Sequence, residues 1–398
     1  MGQQRIDRRR RGALIATTLT VGLVLAACSS GSETTASPTP AASATTTACP
    51  QSPGGGMPAG AAAPSGAAAP SGAAAPANIT MAKTIKPTDT STSTVINPTG
   101  AQVQCGKTAL TSYNDVVYAT ASSNGKTLDL KLDLQTPQTS GTKPLVVYLT
   151  GGGFSIAPKA TNLDLRTYVA EQGYVVASIE YRTVPDGATY QDAVTDVKSA
   201  IRYLRAHAAQ YGIDPAKVAV WGQSAGGYLA AMTGTTNGEK QFDVGDNLDQ
   251  SSDVQGVVDE FGPSKLSAIE ADYDAATQQA YQVAGNTFAQ WVYGPGTTKS
   301  IADYTSQVAA ANPITHLSAK TAPFVLLQGS ADRVVSPSQT LILHTALQAK
   351  GIDSTRYVLT GADHGDLSFT GNPTAAKPWS TQETMNHIVD FLAQHLPA

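Results

Sequence analysis

From about residue 110 to the C-terminus, short unbroken apolar runs alternate with longer stretches of helical periodicity. The runs predict strands at Pro144–Leu149, Tyr174–Tyr181, Val218–Trp221, Val254–Phe261, Pro323–Gln328 and Thr355–Leu359. Tyr113–Thr120 and Thr127–Leu134 read as an antiparallel pair turning at Asn124-Gly125. Helices are expected over Leu163–Gln172, Gln191–Tyr211, Ala225–Met232, Ser338–Lys350 and Thr381–His395. The longest shows its face in Ala193, Val197, Ala200, Ile201, Leu204 and Ala208, and Gly212 stops it. Unbroken apolar strands alternating with helices define an α/β fold, a mostly parallel central sheet covered by helices on both faces. Thr233–Leu317 breaks the rhythm. It holds a single convincing strand, and residues from about 264 to 311 read as an inserted, cap-like segment of small helices.

The first hundred residues follow neither rhythm. Residues 29–100 are dominated by Ala, Ser, Thr, Pro and Gly, and residues 60–76 repeat Gly-Ala-Ala-Ala-Pro-Ser. Such a stretch buries too little apolar surface to offset its ordering entropy, so residues 28–108 are expected to form a disordered tether. About 80 flexible residues reach on the order of 50 Å. The remaining 109–398, about 290 residues, suffice for one domain with a full core.

At the N-terminus, Arg5 and Arg8–Arg11 precede an apolar run from Ala13 to Ala27. A basic stretch, a short apolar stretch and small residues before a cleavage point predict a secretory signal over residues 1–27. The run is short and interrupted for a transmembrane helix. Leu25-Ala26-Ala27-Cys28 resembles the lipobox of bacterial lipoproteins, in which the cysteine is lipidated; the plainer alternative is an ordinary signal peptide with an incidental Cys28. The expectation is an exported lipoprotein held at the bacterial cell surface by a membrane anchor at Cys28. Of the three cysteines this leaves Cys49 and Cys105, and an oxidising compartment permits their pairing. Removing five arginines and one acid from 26 basic and 30 acidic residues leaves 21 against 29, a net charge near −8. With no basic stripe in the globular part, nucleic acid is disfavoured as a partner.

Candidate chemistry sits at strand ends. Val218–Trp221 runs into Gly222-Gln223-Ser224-Ala225-Gly226, and a helix follows. Glycines two residues either side of Ser224 allow a sharp strand-to-helix turn that exposes its hydroxyl. A serine needs a base, and the base needs an orienting group. Asp332 follows the strand Pro323–Gln328, and His364 follows the next strand, so Ser224, Asp332 and His364 share one rim of the sheet. His207, His344, His387 and His395 lie in expected helices and read as helix polars; His316 stays unassigned. Asp363 competes with Asp332 as the acid, but a neighbour in sequence folds back onto the imidazole with difficulty. Thr150-Gly151-Gly152-Gly153-Phe154 ends another strand. The amides of Gly152, Gly153 and Ala225 are candidate oxyanion donors, although a triple glycine also serves as a plain turn. No Gly-Lys-Ser/Thr follows, which excludes a Walker nucleotide loop. Phe154, Tyr228 and Trp291 are candidates for the acyl or alcohol pocket, or simply for the core.

Together these segments resemble the α/β-hydrolase fold esterases, in the group of hormone-sensitive-lipase-like esterases, acetyl-xylan and feruloyl esterases, and kynurenine formamidases. Glu180-Tyr181-Arg182, the helix Asp192–His207, Gly212-Ile213-Asp214-Pro215, Phe261-Gly262-Pro263 and Asn312-Pro313-Ile314 carry the likeness, from about Val116 to the C-terminus. The resemblance implies hydrolysis of short-chain or carbohydrate-linked esters by Ser224, His364 and Asp332, an oxyanion hole at Gly152, Gly153 and Ala225, and no metal or organic cofactor. Two positions depart from the pattern: Thr150 and Gln328 stand where such proteins carry His. An amide hydrolase of the same fold and a non-catalytic surface binding lipoprotein are the rival readings.

Overall fold

The computed structural model describes residues 47–52, 80–303, 305–366 and 377–398. Cys28, the signal segment and the six-residue repeat lie outside the described residues. The strands are β1 (Thr47–Ala48), β2 (Thr94–Ile96), β3 (Gln104–Cys105), β4 (Leu110–Ser123), β5 (Lys126–Pro137), β6 (Lys143–Leu149), β7 (Val175–Ile179), β8 (Ile213–Gln223), β9 (Gly256–Glu260), β10 (Phe324–Gly329) and β11 (Ser354–Leu359). Nine form one sheet in the order β2-β11-β10-β9-β8-β6-β7-β5-β4, parallel except for the β4 and β5 pairings. Every residue of β6 is buried; Leu145, Val147 and Leu149 enter one core, Val146 and Tyr148 the other. The period of two sends alternate side chains to opposite faces, and both faces are covered.

The helices are α1 (Leu163–Glu171), α2 (Tyr190–Ala206), α3 (Ala208–Tyr211), α4 (Ala225–Thr235), α5 (Ala275–Tyr281), α6 (Thr287–Tyr293), α7 (Ser306–Ala310), α8 (Ser338–Ala349) and α9 (Gln382–His395). On one face α2, α4 and α8 bury their apolar stripes; α1 and α9 cover the other. Thr189 and Asp192 form a capping box that starts α2. The helix expected to run unbroken from Gln191 to Tyr211 is two. His207 (φ −104°, ψ 19°) leaves helical geometry, its ring Nδ1 lying 2.8 Å from the Tyr203 carbonyl. Between β9 and β10 the chain forms α5, α6 and α7 with short 3₁₀ turns, the small helices expected of the insertion.

The expected tether ended at residue 108 and the domain began at 109; the structure moves this boundary. Residues 80–108 lie on the domain. β2 extends the sheet edge in parallel with β11. Ile85 bridges Tyr273, and Gln102 bridges Thr381. β1 pairs with β3, and a disulfide joins Cys49 to Cys105. Backbone pairing, a covalent bond and the scattered buried side chains of Ala82, Ile96, Val103 and Cys105 hold this segment, so hydrophobic periodicity does not register it. β1 and its neighbours also clasp α1 at both ends. Ser52 Oγ accepts from the Leu163 amide at 3.1 Å, and the Glu171 carboxylate accepts from the Gly106 and Lys107 amides at 2.8 and 3.0 Å. The bond spans 56 residues, and the chain-entropy relation for such a loop sets an upper limit of about 4 kcal/mol on its contribution. Reduction, or Cys49→Ser with Cys105→Ser, should lower the unfolding midpoint, and neither thiol should react with a maleimide until a reductant is added. An unchanged midpoint would mean that the clasp holds without its covalent bond.

Candidate active site

β8 ends at Gln223 and α4 begins at Ala225, leaving Ser224 alone at the corner with φ 56° and ψ −118°. A left-handed serine persists only where its surroundings over-determine it. A Cβ on Gly222 would lie 2.1 Å from the Gly226 carbonyl oxygen, and one on Gly226 2.0 Å from that of Leu149. Hydrogen alone fits at both places, which is why the serine carries a glycine two residues away on each side. The Ser224 amide donates to the Glu260 carbonyl at 2.9 Å, tying the corner to the end of β9.

The loops after β10 and β11 bring the other two groups to the same rim. His364 Nε2 lies 2.8 Å from Ser224 Oγ, and its Nδ1 lies 2.9 Å from Asp332 Oδ2. A buried carboxylate only accepts, so Nδ1 carries the proton and Nε2 is left to accept from the serine hydroxyl. Asp332 is wholly buried. Its Oδ1 accepts from the Val334 and Val335 amides, both at 2.9 Å, and Oδ2 also accepts from Gln328 Nε2 at 3.0 Å. A buried charge without such bonds would be costly. Asp363, the competing acid, accepts from the Arg333 Nε at 2.7 Å and from the His364 backbone amide at 2.8 Å. It orders the loop and leaves the imidazole to Asp332.

Gly152 and Gly153 follow β6 beside this group. A Cβ on Gly152 would sit 1.9 Å from the Ile156 carbonyl oxygen, and Gly153 has φ 58°. The turn is closed by the Ser155 and Ile156 amides, which donate to the Gly152 carbonyl. Among the described residues no acceptor is bonded to the amides of Gly152, Gly153 or Ala225. The first amides of a helix have no partner within it, so Ala225 is available for the same reason that it starts α4. Thr150 Oγ1 contacts Thr161 Oγ1 at 2.6 Å, and Tyr181 donates to the Thr150 carbonyl at 2.7 Å. A hydroxyl pair thus braces the glycine loop at the position where the sequence departs from the resembled esterases' His.

Phe154, Tyr228 and Trp291 meet in one cluster. Phe154 stacks on Trp291 at 4.5 Å and meets Tyr228 edge-on at 5.4 Å. All three are buried within the larger core, so they back the glycine loop from inside. Three groups escaped the sequence reading. Phe261, left-handed at φ 48°, packs against the His364 ring at 4.6 Å, and Trp379 packs on Phe261. Glu260, buried beneath the corner, accepts from Trp221 Nε1 and from the Gln223 side chain, and burial pushes its carboxyl up to about 8. The side chains of buried strand-end residues carry no periodic signal. Only the Phe261-Gly262-Pro263 motif could have flagged Phe261. Among the described residues no group of three or more His, Cys, Asp and Glu side chains is placed to hold a metal ion.

The strand order and the sharp strand-to-helix corner at Ser224 are those of the α/β-hydrolase fold. Residues 132–347, more than half of the chain, match the model of the BD-FAE family. The protein belongs to this family of α/β-hydrolase esterases. It is 29% identical over 243 residues to a probable isoprenylcysteine alpha-carbonyl methylesterase of Arabidopsis thaliana, covering 60% of this chain and 48% of that one. It is also 29% identical over 201 residues to the probable carboxylic ester hydrolase LipM of Mycobacterium tuberculosis, covering 50% and 44%. The chain thus spans about half the length of these curated relatives. Among solved structures, a truncated carbohydrate esterase from gut microbiota superposes with a TM-score of 0.61 at 24% identity, over 74% of this chain and 99% of that one. The butyrate-bound esterase 2 of Thermogutta terrifontis gives 0.55 at 25% identity, over 71% and 94%.

Proposed function

We propose that this protein is a serine esterase that hydrolyses short-chain or carbohydrate-linked acyl esters. The observation that carries the reading is the hydrogen-bonded series Ser224 Oγ, His364 Nε2, His364 Nδ1, Asp332 Oδ2, with both links below 3.0 Å. Ser224 attacks the ester carbonyl while His364 takes its proton, and Asp332 holds the imidazole in the tautomer that can accept it. The amides of Gly152, Gly153 and Ala225 receive the oxyanion of the tetrahedral intermediate. His364 returns the proton to the leaving alcohol. Water, deprotonated by the same imidazole, then releases the acid and restores the serine.

A short acyl group is favoured by the space behind the oxyanion loop, which Phe154, Tyr228, Phe288 and Trp291 fill. The Thermogutta esterase named above binds butyrate, an acid of that size. We further propose that the chain is exported and held at the bacterial surface through a lipid on Cys28, on the strength of the Leu-Ala-Ala-Cys run. The test is a series of 4-nitrophenyl esters from acetate to palmitate, alongside acetylated xylan and an aryl amide. Acetate and butyrate esters should turn over with kcat/KM at least about tenfold above octanoate, since a longer acyl chain would have to displace the packed side chains that fill this space. A preference for palmitate would refute the short-chain assignment. Turnover of the anilide alone would turn the reading toward amides.

A further inference from the structure

Asp332 is a buried carboxylate that, among the described residues, touches no Lys or Arg side chain, and a guanidinium lies three hydrogen bonds away. Arg356, on β11, is 1% exposed, and burial lowers its guanidinium pKa to about 10. All its donors go to uncharged oxygens. Nε bonds Thr340 Oγ1 at 2.9 Å. Nη1 bonds the Asp89 carbonyl and Ser93 Oγ at 3.2 and 2.8 Å, and Nη2 bonds Thr88 Oγ1 and the Pro337 carbonyl at 3.3 and 2.9 Å. Thr340, having accepted from Arg356, donates to Gln328 Oε1 at 3.2 Å, and Gln328 Nε2 donates to Asp332 Oδ2 at 3.0 Å. Every link points the same way, from cation to carboxylate. Bonds so aligned polarise one another in a low-dielectric interior.

We propose that Arg356, Thr340 and Gln328 are positioning residues for the triad: they deliver one neutral, fixed N–H to the oxygen of Asp332 that also holds His364. The inference rests on the esterase reading for its catalytic meaning, but the relay itself is a property of the fold. Gln328 and His364 share Oδ2, so the amide takes up part of the carboxylate's hydrogen-bonding capacity. Without that amide, Oδ2 accepts more strongly from His364, the imidazolium is favoured, and the imidazole pKa rises. A histidine at position 328 would itself titrate there, whereas glutamine delivers the same bond at every pH. The segment Thr88–Ser93, expected as tether, completes the arginine's shell.

Other ionisable groups surround both ends. Near Asp332 and His364 are Asp363 paired with Arg333, the hydroxyls of Tyr273 and Tyr281 bonded to the Asp332 and Val334 carbonyls, and Asp366 held by Ser380. Around Arg356 lie Asp89, Asp272 and His344. None of these is altered by Gln328→Met, Thr340→Val or Thr340→Ser.

The experiment follows the His364 imidazole by NMR in histidine-labelled full-length protein, together with the pH profile of kcat/KM. Gln328→Met should raise the His364 titration and the acid limb of the profile together, by about half a unit, and lower kcat about tenfold with KM within twofold. Thr340→Val should do the same to a smaller extent, and Thr340→Ser, which keeps the hydroxyl, should restore the wild-type values. If Gln328→Met fails to fold, the Thr340 pair carries the comparison. A His364 titration unmoved in both Gln328→Met and Thr340→Val overturns the proposal, whatever happens to stability. Because the NMR titration needs no substrate, wild-type protein that hydrolyses no ester would refute the esterase reading and leave the relay to be judged by the imidazole alone.

Discussion

Ser224→Ala should abolish ester hydrolysis, lowering kcat by at least about 10⁴-fold, the scale on which removal of a triad nucleophile acts. The corner that holds Ser224 is built by Gly222, Gly226 and the Glu260 carbonyl, none of which contacts the hydroxyl. The fold should therefore survive, with the unfolding midpoint within about 2 °C of wild type. What is lost is the one oxygen 2.8 Å from His364 Nε2. Hydrolysis that persisted in this variant at wild-type rate would remove Ser224 from the mechanism. The product should then be sought from a water activated directly by His364.

The second large effect separates two adjacent loops. Asp332→Asn should lower kcat by about 10⁴-fold, because an amide nitrogen facing Nδ1 forces the imidazole into the tautomer whose Nε2 carries a proton and cannot accept one from serine. Asp363→Asn should cost less than about tenfold. It weakens the pair with the partly exposed Arg333 but keeps a side-chain oxygen that can accept from the His364 amide, and it leaves the 2.9 Å contact of His364 with Asp332 intact. Measuring kcat for both variants on one 4-nitrophenyl ester is sufficient. If the two losses were equal, or reversed in order, the acid would have to be reassigned to Asp363 through a loop rearrangement.

Where the sequence was informative, a period or a glycine carried the information. β6 and β10 show as unbroken apolar runs because both of their faces are buried. Ser224 shows because the close approach of Leu149 and Gly226 forbids any side chain around it. Asp332 and His364 follow from the rule that loops at the carboxyl ends of parallel strands converge. The edge strand β2 leaves no such trace: only Ile96 of its three residues is buried, and Val95 is 53% exposed. Arg356 is equally silent, since a basic residue in a strand reads as surface until the five neutral oxygens around it are known. Phe261 required the third dimension too, because its contact with His364 joins residues far apart along the chain.

The clasp at the N-terminal side of the domain has a mechanical meaning. Where the chain is pulled from a point ahead of Thr47, tension enters the domain at Cys49 and crosses the covalent bond to Cys105, next to β4. The 55 residues between the two cysteines form a closed loop outside that load path. β2 and the Thr88–Ser93 shell of Arg356 belong to this loop, so neither can be peeled from the domain by a pull applied ahead of Thr47 while the bond is intact. In a reduced protein the same force would run through β2 before it reached the rest of the sheet, and the buried Arg356 guanidinium would be among the first groups it exposed to water.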